Sequence, residues 1–418
     1  MVTKLIIRMV DKLKPLLVKM IPKKLLSRAK QRAFLGAFKE MESYQVLPYD
    51  RERFAGGVNL IGNIREETGL GQSCRLVANL LDKADIPFGI YCYASLGGAG
   101  NADTSWDHRI SNELPYGINL VHINPSELGV AYTKFDKSIW EHHYNIAFWL
   151  WELEEFPDEW VPCFNLFHEI WTPSEFISRA LRKKTDKPVR TMPYHVIAEA
   201  EESCGRKFFG LPEDKFLFLM MYDSASIMER KNPMAVIDAF KTAFPPEEEK
   251  AGLVIKMKSG SLQEEKMLKE KLCGYNNVYF VKEVLNKPQV GALLKSVDVY
   301  VSLHRAEGFG LVMAEAMLLG TPVIATNWSA NTEFMNSDAA CMVDYELVQL
   351  EQDYGPFKKG QRWAEPDVEQ AAEYMRLLYQ DNRMHEKLSK SGKQYVEEKL
   401  SHKTLAANME LRVKEIGA

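Results

Sequence analysis

The chain has 418 residues, 46% of them hydrophobic and 26% charged, with a net charge of −4. That length exceeds one ordinary core and suits two domains of common size, and the composition excludes a disordered or fibrous chain. The charge is uneven: residues 1–40 are +9 and the remainder is −13, and an acidic body excludes a nucleic-acid partner.

At the N-terminus Ile6, Val10, Leu13, Leu17 and Met20/Ile21 fall on one helical face. Lys4, Arg8, Lys12, Lys19 and Lys23 fall on another, and Pro15 and Pro22 divide the helix. The pattern predicts a basic amphipathic arm over 1–40 whose residues 1–34 lie on an anionic membrane surface. The alternative is a helix packed on the protein's own surface. Lys and Arg interrupt the arm too often for a secretory signal, and no apolar run approaches the roughly 18 residues of a membrane span. The expected location is therefore cytoplasmic, peripheral on the inner membrane face. The six cysteines (Cys74, Cys92, Cys163, Cys204, Cys273 and Cys341) show no metal or disulfide spacing and read as reduced core thiols.

From residue 57 short apolar strands alternate with amphipathic helices. Strands are predicted at Gly57–Gly62, Phe88–Cys92, Ile118–His122, Asn145–Trp151, Glu169–Thr172 and Val189–Met192. A glycine-bearing loop at 63–71 precedes a helix over Gln72–Lys83. The pattern restarts near 195–212, with strands at Phe216–Tyr222, Leu253–Met257, Val278–Val281, Val299–Leu303, Pro322–Ala325 and Ala339–Val343. Helices are predicted at Pro233–Ala243, Leu262–Cys273, Pro288–Ser296, Val312–Leu319 and Val368–Leu378. Strands separated by helices imply parallel sheets with crossovers. The fold class is α/β, with two Rossmann-like, doubly wound domains at 41–204 and 205–384, each opening its crevice at the carboxyl ends of its strands. Charged helices over 385–418 are expected to cross back to the N-terminal domain.

The segment Val299–Met335 holds the most chemistry. A strand ends at His304-Arg305, a loop Glu307-Gly308-Phe309-Gly310 follows, and a helix opens at Leu311. Glycines let the backbone approach an anion closely, and a helix start offers free N–H groups and the positive dipole end, so the site suits a diphosphate. Carboxylates are good acceptors for sugar hydroxyls. Glu307 and Glu315, with seven residues between them, therefore suggest a phosphorylated sugar.

The run E-G-F-G-L-x-x-x-E-A-M-x-x-G-x-P-V-I-A from Glu307 to Ala325 resembles the signature of the retaining family-4 (group 1) glycosyltransferases of GT-B fold. The resemblance is strong over 215–400, weaker over 57–195, and leaves the arm outside. It implies two domains facing across a cleft, a nucleotide-sugar donor (UDP- or GDP-sugar), and a saccharide or lipid-linked saccharide acceptor. It further implies that Glu315 holds the ribose, that Glu307 faces the transferring sugar, and that the amides of Gly308, Phe309, Gly310 and Leu311 contact sugar and phosphate. Lys231 falls on the family's basic residue, but the family arginine five places before it is Ser226 here. Arg230, Arg305 or Lys256/Lys258 are the candidates to replace that charge. Gly69 and Gly71 match the glycine loop that faces the donor phosphates, His122 matches an active-site histidine, and Glu333 is placed near the nucleotide. The run Trp149-Leu150-Trp151-Glu152 to Phe156-Pro157 resembles a variant in bacterial surface-polysaccharide transferases, with aromatics for acceptor sugars or for the core.

The resemblance further implies a retaining hexosyltransferase in polysaccharide biosynthesis such as capsule or lipopolysaccharide, and because there is no D-x-D motif no metal or other cofactor is expected. The alternatives are an epimerase of the same fold, a lipid-binding peripheral protein, and a catalytically weak sugar- or nucleotide-binding partner subunit of an assembly complex.

Overall fold

The structure is a computed structural model and describes residues 36–93, 103–223, 226–258 and 262–417. Of the basic arm predicted over 1–40, residues 1–35, including the 1–34 expected on a membrane, lie outside the described residues. Residues 36–42 are helical, with Ala37, Phe38 and Met41 buried. Among the described residues no helix is long and apolar enough to cross a membrane. The chain divides into two compact units. One comprises residues up to Leu150, Glu155–His195 and the chain from His402; the other comprises Trp151–Glu154 and Val196–Ser401.

In the first unit β1 (Ala55–Gly62) leads into α1 (Gly69–Lys83), β2 (Phe88–Cys92), β3 (Tyr116–His122), α2 (Pro125–Lys134), β4 (Tyr144–Phe148), β5 (Glu169–Thr172), α3 (Glu175–Arg182) and β6 (Val189–Thr191). The six strands are parallel in the order β2-β1-β3-β4-β5-β6. The order changes direction between β1 and β3, so this sheet's crevice lies at their carboxyl ends, where Gly62 and His122 are paired. A polar line runs through the apolar sheet. Asn59, Asn119 and Asn145 stand side by side on β1, β3 and β4, each fully buried. The Asn59 amide donates to Asn119 Oδ1 at 2.9 Å, Asn119 to Asn145 Oδ1 at 2.8 Å, and Asn145 to the Trp140 carbonyl at 2.8 Å. A one-residue slip would strand these buried amides without partners, so the ladder pins the register.

The second unit runs β7 (Phe216–Asp223), α4 (Met228–Lys231), α5 (Pro233–Ala243), β8 (Ala251–Lys258), α6 (Leu262–Lys271), β9 (Val278–Val281), α7 (Lys287–Lys295), β10 (Val299–Ser302), α8 (Leu311–Leu318), β11 (Val323–Thr326) and β12 (Cys341–Val343). Its parallel order is β12-β11-β10-β7-β8-β9, with the change of direction between β7 and β10. Phe218, Ile255, Val301 and Ile324 form its core with Val236, Phe240 and Met375 from the covering helices. An antiparallel pair, β13 (Tyr345–Gln349) with β14 (Arg362–Pro366), follows, then α9 (Val368–Gln380), α10 (Asn382–Lys399) and α11 (His402–Gly417). Helix α10 packs on α8, whereas α11 packs on α1 in the first unit. There Arg412 of α11 pairs with the fully buried Glu169, which also takes Arg190 Nε at 2.8 Å and Trp171 Nε1 at 2.7 Å.

Several boundaries differ from expectation. Strand β4 stops at Phe148, and Trp149, Trp151, Phe156 and Pro157 are buried; Trp149 lies against Phe156, Phe164 and Phe167. Trp151 lies against Phe357 at 5.3 Å, so the Trp149–Pro157 aromatics are core rather than a sugar-stacking platform. The β13–β14 pair carries no strand signal strong enough to be predicted. The last helical stretch is broken at Leu400-Ser401. Cys74, Cys163, Cys204 and Cys341 are buried, but Cys92 is half-buried and Cys273 exposed, so the core-thiol expectation fails at Cys273.

Candidate active site

The change of strand order in the second unit brings the loop after β7 beside the loop after β10. Lys231, the last residue of α4, places its Nζ on Glu307 Oε1. Arg230 Nη1 reaches the same oxygen at 3.2 Å and donates to the Ala306 carbonyl at 2.8 Å. Arg230 also faces Glu152 at 3.9 Å. Glu307 is 9% exposed. Burial pushes its carboxyl up, but the Lys231 and Arg230 charges outweigh burial and bring it down to about 2. Lys231 and Arg230 thus share Glu307, with Glu152 as a more distant counter-ion to Arg230.

The backbone of the Glu307 loop is fixed from below. The Glu307 N–H donates to Ser329 Oγ at 2.9 Å, and Ser329 sits at φ 74, a conformation costly for a residue with a Cβ. Beneath lies His304, fully buried between Ser302 and Asn331, with its imidazole pKa lowered by burial. Gly310 is the N-cap of α8 at φ 96, and a Cβ there would stand 2.5 Å from Met313 Cε. Only glycine fits. Helix α8 has no side-chain N-cap hydrogen bond, so its positive end is open to an anion at the backbone of Leu311. Phe309 is buried against Phe334 at 5.2 Å and serves the core; the role predicted for it is open only to its backbone, beside Gly308.

On α8 Glu315 is 1% exposed. Its Oε1 is held by Lys287 Nζ, while Oε2 is buried with no hydrogen-bond partner. A buried acceptor without a donor is costly and marks a position that a ligand hydroxyl can satisfy. Lys287 was not singled out from sequence. The pattern Asn286-Lys287-Pro288-Gln289 signals a helix start, but nothing in it names Glu315, 28 residues on, as the partner.

Arg305 is committed elsewhere. Its guanidinium holds the Glu365 carboxylate at 2.7 and 2.9 Å, donates to the Glu229 carbonyl, and lies over the Trp363 ring. Lys256 is buried with Nζ on the Met257 carbonyl at 3.2 Å, and burial lowers its pKa. Of Arg230, Arg305 and Lys256, Arg230 is thus the one brought to Glu307. Ser226 itself is half-buried in the loop before α4, and Glu333 is half-buried at the end of a short 3-10 turn.

In the first unit Gly69 and Gly71 form the first turn of α1 rather than a loop, because Thr68 caps the helix by accepting the Gly71 N–H at 3.1 Å. A Cβ on Gly71 would meet the Glu66 carbonyl at 1.9 Å, so that glycine is needed for the tight entry into α1. His122 ends β3, 3% exposed and stacked on Phe148. Its Nε2 lies 2.6 Å from Ser73 Oγ, which lies 2.5 Å from Tyr194 Oη. Burial brings the His122 pKa down to about 4, so the ring is neutral near pH 7. Among the described residues no group of three or more His, Cys, Asp or Glu is arranged to hold a metal ion.

Residues 205–395 match the family model for glycosyl transferases group 1. Among solved structures the chain is similar to Anabaena HepE, solved with UDP and glucose, at 12% identity and TM-score 0.59 over 86% of this chain and 100% of that one. A glycosyltransferase from Rickettsia africae aligns at 12% identity and TM-score 0.61 over 87% and 99% of the two chains. The pneumococcal O-GlcNAc transferase GtfA, solved with UDP and GlcNAc, aligns at 13% identity and TM-score 0.52 over 72% of this chain and 56% of that one. No curated protein sequence matches the chain. At these identities the structural likeness speaks for the fold, and the two six-stranded parallel α/β units are those of a GT-B protein. Within that fold, the similarity to the group 1 glycosyl transferases is carried by residues 205–395.

Proposed function

We propose that this protein transfers a hexose from a UDP-sugar to a saccharide or lipid-linked saccharide acceptor with retention of configuration. The observation that carries the proposal is the cluster at the β7–β10 switch point. A buried carboxylate is held between Arg230 and Lys231 just ahead of the open N-terminus of α8, with Glu315 further along that helix. The cations and the helix start suit a diphosphate, and the two carboxylates suit sugar and ribose hydroxyls. UDP is favoured over GDP because HepE and GtfA were both solved with UDP.

In this reading the bond between the anomeric carbon and the β-phosphate oxygen breaks with oxocarbenium character. Lys231, Arg230 and the α8 amides take up the charge that develops on the leaving diphosphate. The acceptor hydroxyl attacks from the same face and gives its proton to that phosphate. Glu307, released by Lys231 as the phosphate arrives, orients the sugar hydroxyls. Two fixed cations supply the charge work of a divalent ion, so turnover is expected to persist after dialysis against EDTA, and a strict Mg²⁺ or Mn²⁺ requirement would refute that part. The basic arm of 1–34 on an anionic membrane fits an acceptor at the cytoplasmic surface and a role in bacterial surface-polysaccharide assembly.

The test is slow hydrolysis of UDP-glucose, UDP-GlcNAc and GDP-sugars by the full chain beside Glu315→Ala. Cleavage of one donor by the parent and not by the variant supports the reading. Absence of any nucleotide binding would sink it.

A further inference from the structure

Lys287 has no part in the chemistry described so far, yet it is the partner of the most buried carboxylate in the candidate site. Its backbone is rigidly placed. Asn286 and Gln289 close a reciprocal capping box around it, at 2.9 and 3.1 Å, and Pro288 follows at the second helical position. The Pro288 carbonyl accepts the Glu201 N–H at 3.0 Å. A Cβ on Gly291, one turn on, would stand 1.9 Å from the Glu199 carbonyl, so α7 is pressed onto that strand of backbone. From this fixed start the lysine extends to Glu315, and its side chain remains 38% exposed while Glu315 is at 2%. The pair thus has an inner carboxylate with one unmet oxygen and an outer ammonium with donors to spare.

A hydroxyl both donates and accepts. A vicinal diol meeting this pair donates its protons to the carboxylate and accepts from the ammonium, so each hydroxyl makes two charge-assisted bonds instead of one. We infer that Lys287 acts with Glu315 as the reader of the donor's ribose diol, the carboxylate accepting from the hydroxyls and the ammonium donating to their oxygens. This rests on the nucleotide-sugar reading above and deepens it. It assigns Lys287 to the site, and it states what the pair discriminates: ribose from deoxyribose.

The physical consequence is selectivity beyond affinity. Removing a ribose hydroxyl from the ligand leaves a buried carboxylate oxygen unmet, which is punished more than the loss of a surface contact. Removing the Lys287 ammonium halves what each hydroxyl gains, so the ligand with both hydroxyls suffers more than the one with a single hydroxyl.

The experiment is isothermal titration of the full-length protein with UDP and with 2′-deoxy-UDP, for the parent, Lys287→Met, Lys287→Arg and Glu315→Gln. Circular dichroism confirms that each variant is folded. The parent is expected to prefer UDP, Lys287→Met to bind UDP about tenfold more weakly and 2′-deoxy-UDP, which keeps the 3′-hydroxyl, only about threefold more weakly, and Lys287→Arg to recover most of the preference. A Lys287→Met protein that keeps the parent's preference, or that binds UDP more tightly, overturns the assignment of Lys287. If instead the parent binds no UDP, or Glu315→Gln binds it as the parent does, the nucleotide-site reading itself falls. A merely structural role for Lys287 would weaken both ligands alike and would count against the inference.

Discussion

Glu307→Gln is the substitution whose outcome is least intuitive and most informative. The Glu307 carboxylate is bound by Lys231 and, at 3.2 Å, by Arg230, with side-chain exposures of 26%, 8% and 11% for Lys231, Arg230 and Glu307. The fall of its pKa from 4.5 to about 2 corresponds to about 3 kcal/mol of preference for the ionised form. Glutamine keeps the shape and removes the charge, so the protein should lose about 2–3 kcal/mol as Lys231 loses its counter-ion and Arg230 keeps only Glu152 at 3.9 Å. The same change frees both cations for a diphosphate. A charge-assisted hydrogen bond is worth about 1.5–3 kcal/mol, and about 1.4 kcal/mol is tenfold in affinity. UDP should therefore bind the variant about tenfold more tightly, while turnover falls by about 10²-fold or more because the sugar loses its orienting carboxylate. Titration calorimetry with UDP and a donor-turnover assay read the two effects separately. UDP binding that is unchanged or weaker in a folded Glu307→Gln protein would refute the reasoning, since the cations would then not be phosphate ligands held in reserve. Acid provides a second check. A carboxyl whose folded pKa lies below its unfolded value stabilises fully above about 4.5 and loses that stabilisation as pH falls toward 2. Denaturant titrations over that window should show a slope in the parent that the variant lacks.

His122 supplies another pH signature at a different window. Its pKa falls from 6.5 to about 4 through burial, so below 6.5 the unfolded chain takes up the proton first. Up to about 3 kcal/mol of stability present above pH 6.5 is lost by pH 4, and His122→Gln should flatten that part of the urea-midpoint profile. Arg412→Met leaves the fully buried Glu169 with Arg190 alone as a cation; breaking a buried pair costs about 3–5 kcal/mol, and the remaining arginine brings the expected loss to about 2 kcal/mol. The loss should be read as a lower urea midpoint with UDP affinity intact.

The sequence disclosed most where a local rule decides the structure. The apolar runs of β7, β10 and β11 need no partner to be recognised, and Gly310 stands where a strand must turn tightly into a helix, so the strand-loop-helix unit from Val299 to Leu318 is legible within about one residue. Pairings set by the tertiary fold were not legible. Asn59, Asn119 and Asn145 look like strand breakers until the sheet lines them up. Lys287 and Glu315 sit on different helices, and Ser329 declares its strained turn only through its φ. Trp149 and Trp151 were ambiguous for a related reason: an aromatic run has the same composition whether it faces a sugar or other aromatics, and only burial separates the two.

One consequence of the Arg230–Glu307–Lys231 cluster bears on the missing family arginine. A guanidinium delivered from Ser226 would come from the loop before α4, whereas Arg230 comes from α4 itself, next to Lys231 and braced by the Ala306 carbonyl. Both cations therefore ride on one short helical turn whose carbonyl at Arg230 also accepts the Arg305 N–H at 2.8 Å, and Arg305 in turn is locked to Glu365. Any displacement of α4 moves the backbones that carry the two charges together. In the proposed reading the charge lost at Ser226 is replaced by one carried on the same helical turn as Lys231, so that α4, rather than a single side chain, would be the unit that meets the diphosphate.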